Sequence, residues 1–266
     1  MADSPIELLK TRRLWPLALS QACGAFNDNM VKNALVVLAL FQLGEGGTSL
    51  AALAGALFIA PFILLSATAG QIADRYSKTT LIVWTKMAEV VLMVVAGIGF
   101  VTGSVPILLA VLFGLGVQST MFGPLKYGVL PEQLEEHELV AGNGVIEAST
   151  FLAILIGTLA GGGVILLAGG AALVSVAGLA ISLLGVWSAS RMIPVPAARP
   201  TLAVSPNLVA ETLHTVRLAL SVRAIWLSIL GISWFWTVGA TLLTAFPVLT
   251  RDTLGADGQV VTLFLT

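Results

Sequence analysis

Between Leu14 and Arg191 the sequence repeatedly lays down an apolar run long enough to cross a bilayer, which takes ~20 residues, and ends it in a short turn. The runs cover residues 14–42, 50–73, 80–101, 107–128, 141–167 and 172–191, and a further one covers 223–249. In hydrocarbon, backbone donors and acceptors find no water, so each run must close its hydrogen bonds within its own helix. The expected class is an all-α, multi-pass membrane protein. Only 10% of the residues are charged, against ~25% in soluble domains. The net charge of −1 gives no electrostatic basis for a nucleic-acid partner. One cysteine, Cys23, excludes an internal disulfide, and two histidines without clustered ligands suggest neither metal nor cofactor.

The turns carry the orientation. Lys10, Arg12, Arg13, Arg75, Lys78, Arg191, Arg199, Arg217 and Arg223 fall on one side of this topology, and Arg251 on the other. Basic residues concentrate on the cytoplasmic side, so the N-terminus is expected there, in a bacterial inner membrane. No cleavable signal peptide is evident, and Ser4-Pro5-Ile6-Glu7 reads as a helix start. Pro194, Pro196, Pro200 and Pro206 break any helix after the sixth run, and residues 207–221 then read as an amphipathic helix. Expected domains are a six-span bundle over 1–192, a cytoplasmic linker over 193–222 and the start of a second bundle over 223–266. The last apolar stretch, from Val260 to Thr266, is too short to span. A fragment of a six-plus-six architecture is expected.

Inside these runs sit charges that lipid disfavours by ~2.5 kcal/mol or more each. The first run holds Phe26-Asn27-Asp28-Asn29 and Lys32; Gln21, Asp28, Lys32 and Gln42 fall on one helical stripe. The third run carries Lys86 and Glu89 at i, i+3, expected to form an intramembrane ion pair. Lys126 ends the fourth run, and Asn143 and Glu147 share a face at the start of the fifth. The fourth and fifth runs are antiparallel, so Lys126 and Glu147 lie at similar depth and are expected to pair or jointly to hold a zwitterion. Gly123-Pro124 is expected to interrupt the fourth run. Gly157, Gly161, Gly162 and Gly163 read as close-packing glycines, whereas Gly170 lies in a turn and should tolerate a larger side chain.

Gly70-Gln71-Ile72-Ala73-Asp74-Arg75-Tyr76-Ser77-Lys78-Thr79 joins the second and third runs. It resembles the signature loop of the major facilitator superfamily. Gly70, Asp74, Arg75 and Lys78 are the expected gating residues, with Gly70 allowing a close helix approach. Adding Phe26-Asn27-Asp28-Asn29, Phe122-Gly123-Pro124-Leu125-Lys126-Tyr127 and the segment Gly142 to Gly157 sharpens the match. Together these motifs resemble the bacterial lysophospholipid transporter family of that superfamily, along nearly the whole chain.

The resemblance implies a major facilitator fold and movement of lysophosphatidylethanolamine-type lipids across the inner membrane for reacylation. It also implies an acyltransferase as partner or fused domain. Rival readings are the membrane part of a fused acyl-carrier-protein synthetase and acyltransferase, and a small-solute or drug exporter. No phosphate-binding loop and no Gly-x-Ser-x-Gly elbow occurs, so the chain reads as a transporter rather than an enzyme. The expected substrate site is Asn27, Asp28, Lys32, Lys126, Asn143 and Glu147. In it Lys126 meets the phosphate, Asp28 and Glu147 act as amine partners or counter-ions, and Asn27 and Asn143 orient the headgroup.

Overall fold

The computed structural model describes residues 4–43 and 46–248. These form α-helices and one short 3-10 helix, with no strand among the described residues. The short α1, Pro5–Lys10, starts at a reciprocal cap: Ser4 Oγ accepts from the Glu7 amide, and Glu7 Oε2 accepts from the Ser4 amide. The long helices are α2 Trp15–Leu43, α3 Gly46–Arg75, α4 Lys78–Thr102, α5 Val105–Gln133, α6 Leu139–Val164 and α7 Gly170–Ala189. They reproduce the expected runs to within a few residues. One expectation fails: α5 passes through Pro124 and Pro131 without a break. A proline deletes a single helix donor, and the surrounding helix absorbs that loss here. The helix ends instead at Gln133, and the 3-10 turn Glu136–Glu138 leads into α6.

Helices α3 to α7 are each long and apolar enough to cross a membrane. Helix α2 is as long, but its polar stripe leaves it outside that set. It compensates by position. It packs against α3, α4, α5, α6 and α7, most extensively against α6, so its polar groups meet protein rather than lipid. The packing also has an exchange symmetry. The α2–α6 contact is matched by α5–α3, and the α4–α5 contact by α7–α2. That is the pattern produced when α2–α4 and α5–α7 are two copies of one three-helix unit. One pair breaks it: α2 packs broadly on α3, whereas α5 and α6 barely touch.

The closest approach is made by glycine. A Cβ on Gly157 would lie 2.4 Å from the Phe26 carbonyl oxygen, and one on Gly161 2.2 Å from that of Met30. Helices α2 and α6 therefore meet backbone to backbone. The other glycine expectations need correction. Gly163 has nothing within 4 Å, and neither has Gly70. Gly170 is not tolerant, because a Cβ there would sit 2.3 Å from the Val164 carbonyl oxygen. The turn folds back on the end of α6, which a linear reading of a Gly-Gly pair does not reveal.

The basic residues of the turns in this unit collect at one end of the bundle. Arg13 grips Glu138 through two bonds of 2.6 and 2.7 Å, and Arg12 Nε donates to the Arg191 carbonyl. The proline-rich segment after α7 is strapped across the α3–α4 turn. Ser77 Oγ donates to the Val195 carbonyl, Thr79 Oγ1 accepts from the Val195 amide, and the Arg199 amide donates to the Asp74 carbonyl.

The chain divides into two compact units at Val209 and Ala210. The second contains most of α8, Leu208–Ser221, and α9, Arg223–Val248. Helix α8 is amphipathic and has no buried residue. It meets α9 at 107°, and Leu208–Ser221 with Arg223–Gly239 are together long and apolar enough to span. The turn expected from Arg251 and the run from Val260 lie outside the described residues.

Candidate functional site

Three polar layers stack inside the first unit. The innermost is an ion pair: Lys86 Nζ donates to Glu89 Oε2 at 2.7 Å, and the side chains are 2% and 0% exposed. A buried pair survives only if its remaining valences are satisfied. Here Asn27 Nδ2 donates to Glu89 Oε1 at 2.8 Å and to the Gly178 carbonyl at 3.2 Å. Gln118 Nε2 adds a 3.4 Å bond to Glu89 Oε2, and the Phe122 ring lies 4.8 Å from the Lys86 ammonium. Gly24 makes room for that ammonium, since a Cβ there would come within 2.3 Å of it. Asn27 is thus a bracket joining α2, α4 and α7 rather than a cavity residue.

The second layer is a cavity of about 340 Å³ between α2, α3, α5 and α6, with Lys86 at its base. That lies at the lower end of ligand-pocket volumes, ~300–1,000 Å³. Its polar wall is Gln21, Asp28, Asn29, Gln118, Ser119 and Thr150; its apolar wall includes Phe58, Phe62, Phe122 and Ile154. Ser119 Oγ donates to Asp28 Oδ2 at 2.6 Å, and Gln21 Nε2 to Thr150 Oγ1 at 3.1 Å. Asp28 and Lys32 do not pair with each other. Lys32 Nζ bonds Asn29 Oδ1 at 3.0 Å and lies 5.5 Å from the Phe58 ring centre, behind the cavity wall.

The third layer is the rim, where α5 and α6 fail to pack. Lys126 Nζ lies 3.4 Å from Glu147 Oε1, and the Tyr127 hydroxyl donates to the same oxygen. Lys126 and Tyr127 line the cavity. Asn143 does not reach it; its Nδ2 donates to the Leu139 carbonyl one turn back. Of the expected substrate residues, Asp28 and Lys126 line the same cavity, and Glu147 joins them through its pair with Lys126. Asn27, Lys32 and Asn143 have other partners. The sequence reading missed Gln118, Ser119 and Tyr127. The signal available was two adjacent polar side chains in an otherwise apolar helix.

The α3–α4 loop stands apart from the cavity. Lys78 Nζ bonds Glu132 Oε1 at 2.5 Å, Arg75 stacks on Tyr76, and Asp74 Oδ2 lies 3.7 Å from Arg199. The loop is thereby tied to the end of α5 and to the strap after α7.

No family model matches the chain. Individual proteins do. The lysophospholipid transporter LplT of Serratia proteamaculans is 30% identical over 98% of this chain and 63% of its own length. That of Shigella flexneri serotype 5b is 33% identical over 84% of the chain and 54% of its length. That of Cronobacter sakazakii is 31% identical over 91% and 58%. The chain thus spans a little over half the length of the curated relatives it matches, and along that length it is similar to lysophospholipid transporters.

Proposed function

We propose that this chain is part of a transporter, not an enzyme, and that the protein moves lysophospholipids across a bacterial inner membrane. The observation that carries the reading is the cavity: a mostly apolar chamber with a loose cation–carboxylate pair at its rim, in a chain similar to proteins named for that substrate. A lysophospholipid of the phosphatidylethanolamine type offers a phosphate, an amine and one acyl chain. Lys126 supplies a cation for the phosphate and Glu147 a carboxylate for the amine, so the headgroup replaces each partner of the pair with a charge of the same sign. Exchange of this kind avoids leaving either side chain unpaired. The aromatic wall of Phe58, Phe62 and Phe122 suits the acyl chain, and Asp28 holds the negative charge deeper in.

On this reading residues 1–192 form one bundle, 193–222 a cytoplasmic linker and 223–266 the opening of a second bundle. The basic end of the first unit faces the cytoplasm. Asp74, Arg75 and Lys78 form the latch that changes partners between access states. Reacylation by an acyltransferase, separate or fused, maintains the inward gradient.

Uptake of labelled lysophosphatidylethanolamine into cells expressing the full-length protein tests the reading. Asp28→Asn and Lys126→Ala proteins should insert normally and lose most uptake. Unmodified uptake by both, at equal membrane abundance, would exclude this cavity as the substrate site.

A further inference from the structure

Ser119 has one hydroxyl hydrogen and two acceptors in reach, Asp28 Oδ2 at 2.6 Å and Gln118 Oε1 at 3.2 Å. The hydrogen can serve only one of them. Gln118 cannot turn its amide to help. Its Nε2 donates to Glu89 Oε2, and the reversed amide would set oxygen against carboxylate. Glu89 is fixed in turn by Lys86 and Asn27. On the far side of the carboxylate, Asp28 Oδ1 is buried and has no donor. With the Asp28 carboxyl ionised, two carboxylate oxygens, one hydroxyl and one amide oxygen share one hydrogen and one negative charge. They do so at residues where Asp28 is 6% and Gln118 5% exposed.

Buried polar atoms are nearly always hydrogen-bonded. A donor-poor cluster of oxygens carrying negative charge has the ligand chemistry of a hard cation. Neither neighbouring ammonium bonds these oxygens: Lys86 is bonded to Glu89, and Lys32 to Asn29. A single carboxylate matches a single positive charge, because a divalent ion would leave uncompensated charge at low dielectric. Complete burial of Asp28 Oδ1 favours a small bare ion over an amine tethered to a lipid. The adjoining cavity, which Asp28, Gln118 and Ser119 all line, is the entry route.

We propose that Asp28, Ser119 and Gln118 form a binding site for a small monovalent cation, sodium, in the inner wall of the cavity. Gln118 is a ligand oriented by the Lys86–Glu89 pair, which gives that pair a task beyond helix packing. The binding site stands on its own geometry. Its further role, neutralising Asp28 in one access state and so coupling the ion to the substrate, rests on the transporter reading.

Thermal unfolding of the detergent-purified full-length protein is the first test, in sodium, potassium and methylammonium chloride at equal ionic strength. The melting temperature should be several degrees higher in sodium. Gln118→Leu should lose that difference, and so should Ser119→Ala, whose half-buried side chain can be shortened without emptying the core. Identical melting in all three salts would overturn the proposal, as would a sodium effect that survives in both variants. Stabilisation by methylammonium without stabilisation by sodium would also overturn it and give the cluster to an organic amine. The second test is lysophosphatidylethanolamine uptake by proteoliposomes with and without an inward sodium gradient, which should differ several-fold. Sodium stabilisation without any lipid uptake would keep the site and remove the transport reading. Lipid uptake indifferent to sodium, with no stabilisation, would do the reverse.

Discussion

Two lysine–glutamate pairs in this bundle look alike on paper and differ in almost every physical respect. Lys86–Glu89 lies within one helix at 2.7 Å, closed off from solvent, and its carboxylate accepts further bonds from Asn27 and Gln118. Lys126–Glu147 joins two helices that scarcely touch, at 3.4 Å, with the glutamate side chain 37% exposed. The first is over-determined by its neighbours; the second depends on its partner and on Tyr127. A pair that exchanges a bond for a substrate contact must be the second kind. A pair that holds a frame must be the first.

The sharpest way to break this contrast is to remove half of each pair. Lys86→Met or Glu89→Gln should each cost about 3–5 kcal/mol, the magnitude for stranding one partner of a buried pair. The double variant Lys86→Met/Glu89→Gln should recover part of that loss. Thermal unfolding in detergent reads both, and strict additivity would show that the two side chains do not act as a unit. Next in size is the contact that lets the frame close. Gly161→Leu and Gly157→Leu drive a side chain into the α2 backbone and should cost ~1–3 kcal/mol or more, or prevent folding. Gly163→Leu, on the same helix with open space beside it, should stay within ~0.5 kcal/mol. Equal yields of folded protein for all three would refute the α2–α6 approach.

At the rim the stability effect should be small and the transport effect large. Lys126→Met and Glu147→Gln should each shift stability by at most ~1 kcal/mol, as for a partly exposed pair. Each should nevertheless abolish most lysophospholipid uptake, and the double variant should be no worse than either single. A large stability loss would make the rim pair structural like its buried counterpart. Smallest of all should be Arg199→Ala, whose side chain is 70% exposed beside Asp74. It should leave stability within ~0.5 kcal/mol, and its effect should appear only as a changed uptake rate if the α3–α4 loop moves between access states.

How far the sequence could be read depends on what sets each feature. Helix extents were legible because apolar length and turn residues are local properties, and α4, expected over 80–101, runs Lys78–Thr102. Pro124 misled because a proline's local cost says nothing of how well the surrounding helix is supported. Lys126 and Glu147 could be brought together by counting depth along antiparallel runs. Asn27 and Asn143 could not be assigned that way. One residue of helix phase separates a side chain that lines a cavity from one that crosses to another helix, and Asn27 crosses to Glu89 while Asp28 faces the cavity.

By itself the sequence determined that the chain is helical and membrane-embedded, where the long helices lie to within a few residues, and which residues put charge into lipid. Those follow from hydrophobicity and from the backbone's need to satisfy itself without water. The tertiary structure alone decided which charges meet, that α5 and α6 part where α2 and α3 pack, and that Ser119 and Gln118 complete an oxygen cluster around Asp28. Hydrogen-bond geometry acts over about 3 Å, and residues ninety positions apart come within that distance only after the helices have packed.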